Sequence, residues 1–267
     1  MKERLDILLV ARGLAESRER AKSAIMAGIV HVEGQRVDKP GTSVDKEAKI
    51  EVRGNPIPFV SRGGLKLAKA LEVFPVDVAG KIAIDVGAST GGFTDCLLQH
   101  GVVKVYAIDV GYGQLDWGLR QDPRVIVMER TNIRHVSPDE FDELVDLVTI
   151  DVAFISLTKI LKTVSELLVD HGKIVALIKP QFEAGRQQVG KRGVVRDPKV
   201  HVEVITQVLA FAETLSLGAL GLTFSPITGP QGNCEFLVYW QKGQPSKMQD
   251  YLCWAQMVVD NAHEALS

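Results

Sequence analysis

The sequence of 267 residues has few cysteines, almost no net charge and no long apolar run. Its three cysteines, Cys96, Cys234 and Cys253, are odd in number and far apart, which excludes a disulfide framework and gives no metal-ligand spacing. Two of them lie in apolar segments, where ordinary burial outweighs chemistry. No apolar stretch approaches the roughly 18 residues of a transmembrane helix, and no signal peptide is legible. A reduced, cytoplasmic setting is therefore the expectation. The net charge of −2 argues, taken alone, against a nucleic-acid binder.

What is present changes that last point. Residues 1–66 carry 13 Lys/Arg against 9 Asp/Glu, whereas residues 67–267 carry 18 against 24. A basic module is thus joined to an acidic one. With 46% hydrophobic and 24% charged residues, the chain has the material for a sizeable core, in one large or two modest domains.

In the basic module Leu5, Leu8 and Leu9 share a helical face, and Gly13 suits the C-terminal cap. Ser17 is an N-cap for a second helix that Gly28 ends, with Ala21, Ala24 and Ile25 on its buried stripe. Residues 29–32 and 35–37 alternate as a hairpin about Glu33-Gly34, and Ile50-Glu51-Val52 forms another short strand. Arg18 and Lys22, four residues apart, read either as a solvated helix face or as phosphate contacts. Asn55-Pro56-Ile57-Pro58 is punctuated as a linker.

The most informative stretch is Ala83-Ile84-Asp85-Val86-Gly87-Ala88-Ser89-Thr90-Gly91-Gly92-Phe93-Thr94-Asp95. An apolar strand enters a glycine-broken turn, and helical spacing resumes up to Gly101. A second apolar segment ends in Asp109, 22 residues beyond Gly87, where a nucleotide-binding sheet places the carboxylate that holds a ribose. The glycines fall at 87, 91 and 92, away from the dinucleotide spacing. That turn suits S-adenosylmethionine (SAM), which has no pyrophosphate to cradle, and predicts methyl transfer. Asp85, Gly87, Ala88, Ser89, Thr90, Gly91, Gly92, Phe93 and Asp109 are the expected cofactor contacts, with Asp151 and the adenine-edge candidate Asn132.

From residue 80 onward strands and helices alternate: 82–86, 92–100, 103–108, 114–120, 124–128, 145–151, 157–169, 173–179 and 198–217. The pattern predicts a doubly wound, mostly parallel sheet. Residues 221–225 and 235–240 flank a Gly-Pro turn as two last strands, a terminal antiparallel hairpin typical of SAM methyltransferases. Ser246 with Gln249 reads as a capping box for a final helix. Lys179 ends an apolar run, so it either meets a carboxylate in a structural ion pair or is tuned for proton transfer.

Two resemblances follow. The pattern S-R-x-x-A-x-x-x-I-x-x-G-x-V-x-V-x-G from Ser17 to Gly34 resembles the small S4-type (αL) RNA-binding domain. It implies contacts to structured RNA from Arg4, Arg12, Arg18, Lys22 and Lys39. The chain as a whole resembles the TlyA proteins, labelled haemolysin A. The resemblance rests on Ser61-Arg62-Gly63-Gly64-x-Lys66-Leu67, residues 85–95, Thr149-Ile150-Asp151-Val152-Ala153-Phe154-Ile155-Ser156-Leu157, Lys179-Pro180-Gln181-Phe182-Glu183 and Gly229-Pro230-x-Gly232-Asn233-x-Glu235. Ala153 departs from the serine common there.

That resemblance implies ribose 2′-O-methylation of ribosomal RNA, free or in ribosomal subunits, by an FtsJ-like domain using SAM. The family's Lys-Asp-Lys-Glu tetrad falls on Lys66, Asp151, Lys179 and Glu235. In that scheme Lys179 is the base or proton relay, Asp151 orients it, Lys66 stabilises the alkoxide and Glu235 holds Lys66 or the ribose. No metal is implied, because the sulfonium carries the driving charge. The expected division is an RNA-binding domain over 1–60 and a Rossmann-like α/β methyltransferase domain over 61–267, consistent with a monomer. Arg62 and the basic loop 184–196, with Arg186, Lys191, Arg192 and Arg196, are further expected RNA contacts. A non-catalytic RNA-binding factor, an NAD enzyme and a pore-forming haemolysin are the rival classes, and the last lacks any spanning segment or strongly amphipathic basic helix.

Overall fold

A computed structural model describes residues 2–15, 17–26, 28–53 and 58–266. The linker expected at Asn55-Pro56-Ile57-Pro58 lies outside the described residues except for its last proline.

The N-terminal unit contains β1 (Lys2–Arg4), α1 (Leu5–Ala11), α2 (Arg18–Met26), β2 (Val30–Val32), β3 (Gln35–Arg36), β4 (Ser43–Asp45) and β5 (Ile50–Val52). Leu5, Leu8 and Leu9 of α1 meet Ala21 and Ile25 of α2 and Val30 in a small core. The Ser17 hydroxyl accepts from Arg20 N at 3.2 Å, the cap the sequence predicts. β3-β2-β5 form one antiparallel sheet, and β1 pairs with β4 in a second ribbon.

The larger unit runs α3 (Gly63–Val73), β6 (Ile82–Val86), α4 (Gly92–Gln99), β7 (Lys104–Asp109), α5 (Trp117–Gln121), β8 (Val125–Glu129), β9 (Val145–Ile150), α6 (Leu161–Leu167), β10 (Leu168–Ile178), α7 (Pro180–Glu183), α8 (Pro198–Thr214), β11 (Leu217–Phe224), β12 (Phe236–Lys242) and α9 (Tyr251–Leu266). The sheet order is β11-β12-β10-β9-β6-β7-β8. Its central strands are parallel, and β12 runs antiparallel to both neighbours, as the sequence predicts.

The period-2 alternation of each strand assigns its side chains to two layers. Ile84, Val86, Val148 and Ile150 pack with α6, α8 and α9. Ala83, Leu147, Val175 and Leu237 face α3 and α4, whose Leu67, Ala70, Phe93 and Leu97 complete the opposite layer.

Three local expectations are corrected. The helix expected over 157–169 is a 3₁₀ turn followed by α6, and β10 already begins at Leu168, with a register irregularity before Lys173. The helix expected over 114–120 starts at Trp117, capped by Asp116, which accepts from Gly118 N. The final helix starts at Tyr251, and Asp250 accepts from Cys253 N at 2.9 Å near its start. Ser246 is instead engaged with Ala219 N at 3.0 Å and the Tyr251 hydroxyl at 2.6 Å.

Candidate active site

The carboxyl ends of β6, β7, β9 and β10 open onto a cleft of about 810 Å³. This is where an open α/β sheet receives its ligand. One wall is the turn between β6 and α4. Gly87 sits at φ +85°, and a Cβ there would lie 2.6 Å from the Asp151 carbonyl oxygen. Gly92 is tighter still: a Cβ would fall 2.3 Å from Ser61 Oγ and 2.8 Å from Gly64 N. Only glycine lets the start of α4 approach the start of α3 this closely. Gly87, Ala88, Ser89, Thr90, Gly92 and Phe93 line the cleft; Gly91 packs toward Leu115 and Leu119.

Asp109 ends β7 on the cleft wall. Its carboxylate accepts from Ser89 N at 2.8 Å and from Gly111 N at 2.7 Å, which fixes its orientation. Those two bonds leave lone pairs for a ribose diol. Asn132 also lines the cleft, with Oδ1 accepting from Arg134 N at 3.2 Å.

At the other end of the cleft four charged side chains form one chain of alternating sign. Lys179 Nζ contacts Asp151 Oδ1. Asp151 Oδ2 lies 3.6 Å from Lys66 Nζ, which is 2.6 Å from Glu235 Oε2. The side chains are 11, 17, 10 and 2% exposed in that order, so the charges compensate one another largely away from water. Burial drives the Lys66 pKa down, but Asp151 and Glu235 outweigh it and hold the ammonium above its ordinary value. Burial likewise opposes ionisation of Asp151, yet the two lysines keep its pKa below normal.

Asp85 is the correction within this site. Expected at the cofactor, it is fully buried and is not part of the cleft wall. Its oxygens accept from the Thr94 hydroxyl at 2.7 Å and the Thr149 hydroxyl at 3.2 Å. The reason is strand parity: residue 85 shares the face of Ala83, toward α4.

Several cleft residues were not expected from sequence. Phe154 is 91% exposed at φ +64°, with its ring 5.1 Å from that of Phe182. The loop that carries it is tied to α7 by Glu183, which accepts from Ser156 Oγ at 2.5 Å and Leu157 N at 2.7 Å. Ser23 and Met26 of α2 reach the cleft from the N-terminal unit, and the Ser23 hydroxyl donates to the Val60 carbonyl at 2.7 Å. An exposed aromatic at positive φ leaves no composition signal, and a contact across 37 residues leaves none either.

The expected RNA contacts divide. Arg4 and Arg18 share the buried Asp6, each Nε 2.9 Å from a different carboxylate oxygen. The Arg4 hydrogen bond leads in holding the Asp6 carboxyl at about 2, against the cost of burial and with help from Arg18. Arg12 donates to the Ala48 and Lys46 carbonyls. These three arginines therefore brace the fold with part of their donor capacity. Lys39 is exposed, as are Arg186, Lys191, Arg192 and Arg196, and Arg62 lines the cleft.

The sequence profile of the FtsJ-like methyltransferases matches residues 59–242, and that of the S4 domain matches residues 3–50. The chain is 44% identical over 265 residues to the 16S/23S rRNA (cytidine-2′-O)-methyltransferase TlyA of Mycobacterium tuberculosis, covering 99% of this chain and 97% of that one. The chain belongs to the TlyA proteins, within the FtsJ-like methyltransferase family. It is 54% identical to YqxC of Bacillus subtilis over 99% of its length and 95% of that protein's. A solved Streptococcus thermophilus structure bearing the hemolysin label superposes with a TM-score of 0.80 at 48% identity, over 99% of this chain and 96% of that one. Among the described residues of this TlyA-family chain, no helix is long and apolar enough to cross a membrane.

Proposed function

We propose that this methyltransferase uses SAM to methylate a ribose 2′-hydroxyl of ribosomal RNA. The carrying observation is the buried chain Lys179–Asp151–Lys66–Glu235 at the end of a glycine-walled cleft. The cleft's features suit SAM: a turn that a Cβ at Gly87 would obstruct, and an oriented carboxylate at Asp109. In this reading Gly87, Ala88, Ser89, Thr90, Gly92, Phe93, Asp109 and Asn132 hold the cofactor. When bound, SAM supplies a methyl group made electrophilic by its sulfonium.

The chain's own residues supply the rest. A ribose hydroxyl is a weak nucleophile and must lose its proton as it attacks. Lys179 serves at Nζ as the base or proton relay, and Asp151 orients it. Lys66, kept cationic by two carboxylates, stabilises the developing alkoxide in surroundings of low dielectric. Glu235 fixes the direction of Lys66. Phe154 offers an exposed ring on which an unstacked base can rest. Residues 1–60 dock structured RNA through Lys39 and the outward donors of Arg4, Arg12 and Arg18, with Lys22 beside them, while residues 61–267 catalyse. Arg62 and the 184–196 loop extend the phosphate contacts across the mouth of the cleft. The mycobacterial relative's cytidine target makes cytidine the first nucleotide to test.

The test is Lys179→Ala, assayed for methyl incorporation into ribosomal subunits from cells that lack this gene. Methylation about 10²- to 10⁴-fold slower, with SAM and RNA affinity retained, is expected of a lost proton acceptor. Wild-type turnover in that variant would sink the assignment.

A further inference from the structure

Asn233 lies in the Gly229–Glu235 turn but takes no part in the charged chain. It is 2% exposed, and both ends of its side-chain amide are held by the backbone of the basic loop. Oδ1 accepts from Val195 N at 3.0 Å, and Nδ2 donates to the Gly193 carbonyl at 3.0 Å. The Asn233 carbonyl accepts from Gly229 N at 2.9 Å, closing the turn on itself. A third clasp lies beyond: His201 Nε2 of α8 is 3.0 Å from the Val195 carbonyl.

The loop is therefore fastened at 193–195, while Arg186, Lys191, Arg192 and Arg196 remain exposed. Two residues beyond Asn233, Glu235 bonds to Lys66. Its backbone is fixed as well, since Ser225 N donates to the Glu235 carbonyl at 2.8 Å. A displacement of the loop backbone is thus passed to a closed turn, and the turn carries the carboxylate that orients Lys66.

We propose that Asn233 is a positioning residue that couples RNA seating on the 184–196 loop to Glu235, and through it to Lys66. The coupling rests on the reading of that loop as an RNA contact. Phosphates drawn to the four loop cations set the loop, Asn233 sets the turn, and the turn sets the Lys66–Glu235 pair. An RNA that does not engage the loop then leaves the alkoxide-stabilising ammonium out of register.

A double-mutant cycle tests this. Turnover number and KM for ribosomal subunits from cells lacking this gene are measured for the wild type, Asn233→Ala, the loop variant Lys191→Ala/Arg192→Ala, and their combination. The loop variant alone is expected to raise the RNA KM and to lower turnover. Asn233→Ala is expected to lower turnover about 10- to 100-fold, as a small misplacement of a reacting group does, with SAM affinity unchanged. In the combined protein the loop substitutions should still raise KM but lower turnover no further. Additive losses in turnover, or wild-type turnover in Asn233→Ala, would overturn the coupling. Should Asn233→Ala not fold, Asn233→Asp enters the same cycle, because it keeps the acceptor for Val195 N and loses the donor to Gly193. A wild-type protein that leaves every ribose unmethylated would overturn the function itself, and the coupling with it, before any variant is compared.

Discussion

Lys66 Nζ lies 2.6 Å from Glu235 Oε2, although the two residues are 169 apart in sequence. The bond joins the first helix of the larger unit to the residue just before its last strand, in a place nearly closed to water. Removing the carboxylate leaves a buried ammonium with only Asp151, at 3.6 Å. Glu235→Ala should therefore cost about 3–5 kcal/mol, the usual effect of orphaning one partner of a buried pair. Lys66→Met combined with Glu235→Leu should recover much of that stability without restoring activity. Urea unfolding checks both, and an unchanged midpoint for Glu235→Ala would show that the pair does not hold the fold.

The approach of α4 to α3 leads to a second expectation. In Gly92→Ala the added carbon meets backbone at Gly64 N as well as Ser61 Oγ, so the two helix starts must separate. Strain of about 1–3 kcal/mol is expected, together with weaker SAM binding because the cleft wall moves. Calorimetric titration with SAM measures the second effect, and an unaltered affinity would mean that the wall does not contribute.

Phe154 invites the opposite kind of variant. With its ring 91% exposed, Phe154→Ala should change stability by no more than about 0.5 kcal/mol. Loss of a stacking platform should weaken productive RNA binding by about 1–3 kcal/mol, with SAM affinity intact. Methylation kinetics at limiting and saturating RNA separate these effects; unchanged kinetics would leave the ring without a role.

Asp85 carries a pH dependence with a definite sign. Burial, with repulsion from Asp151 and against the hydrogen bonds of Thr94 and Thr149, raises its carboxyl from 3.8 to about 7. The native state therefore binds the proton more tightly than the unfolded chain does. Stability contributed by this group is complete below pH 3.8 and declines as pH rises to about 7. Asp85→Asn keeps an acceptor for one threonine and should remove that decline, gaining most over the wild type above pH 7. Unfolding midpoints compared at pH 5 and pH 8 decide it, and parallel shifts in both proteins would refute it.

Much of the sheet was legible because the larger unit repeats a plain rule of apolar strand, turn and amphipathic helix. β1 and β4 escaped, since each is three residues long, carries charge and is stabilised by the other rather than by any pattern of its own. The apolar pattern around Leu168 suits a helix as well as a strand, and pairing with Val145 decides for the strand. Ser246 offered the right residues for a cap, but two tertiary partners held its hydroxyl more effectively. Of the site, the glycine turn and Asp109 followed from spacing, whereas the tetrad came from family resemblance, and its pairing is a long-range fact. Asp85 shares the parity of Ala83, and that alternation alone assigns it to the face toward α4 rather than to the cleft.

The insertion of β12 between β10 and β11 has a consequence for synthesis. Lys66, Asp151 and Lys179 all leave the ribosome before Glu235, so the growing chain holds an excess positive charge at the site until its last sheet strand arrives. The ion chain closes only when that strand docks, by a contact of long sequence separation and hence slow formation. On the proposed reading of these four residues, competence for catalysis waits for residue 235 and is among the last properties the growing chain acquires.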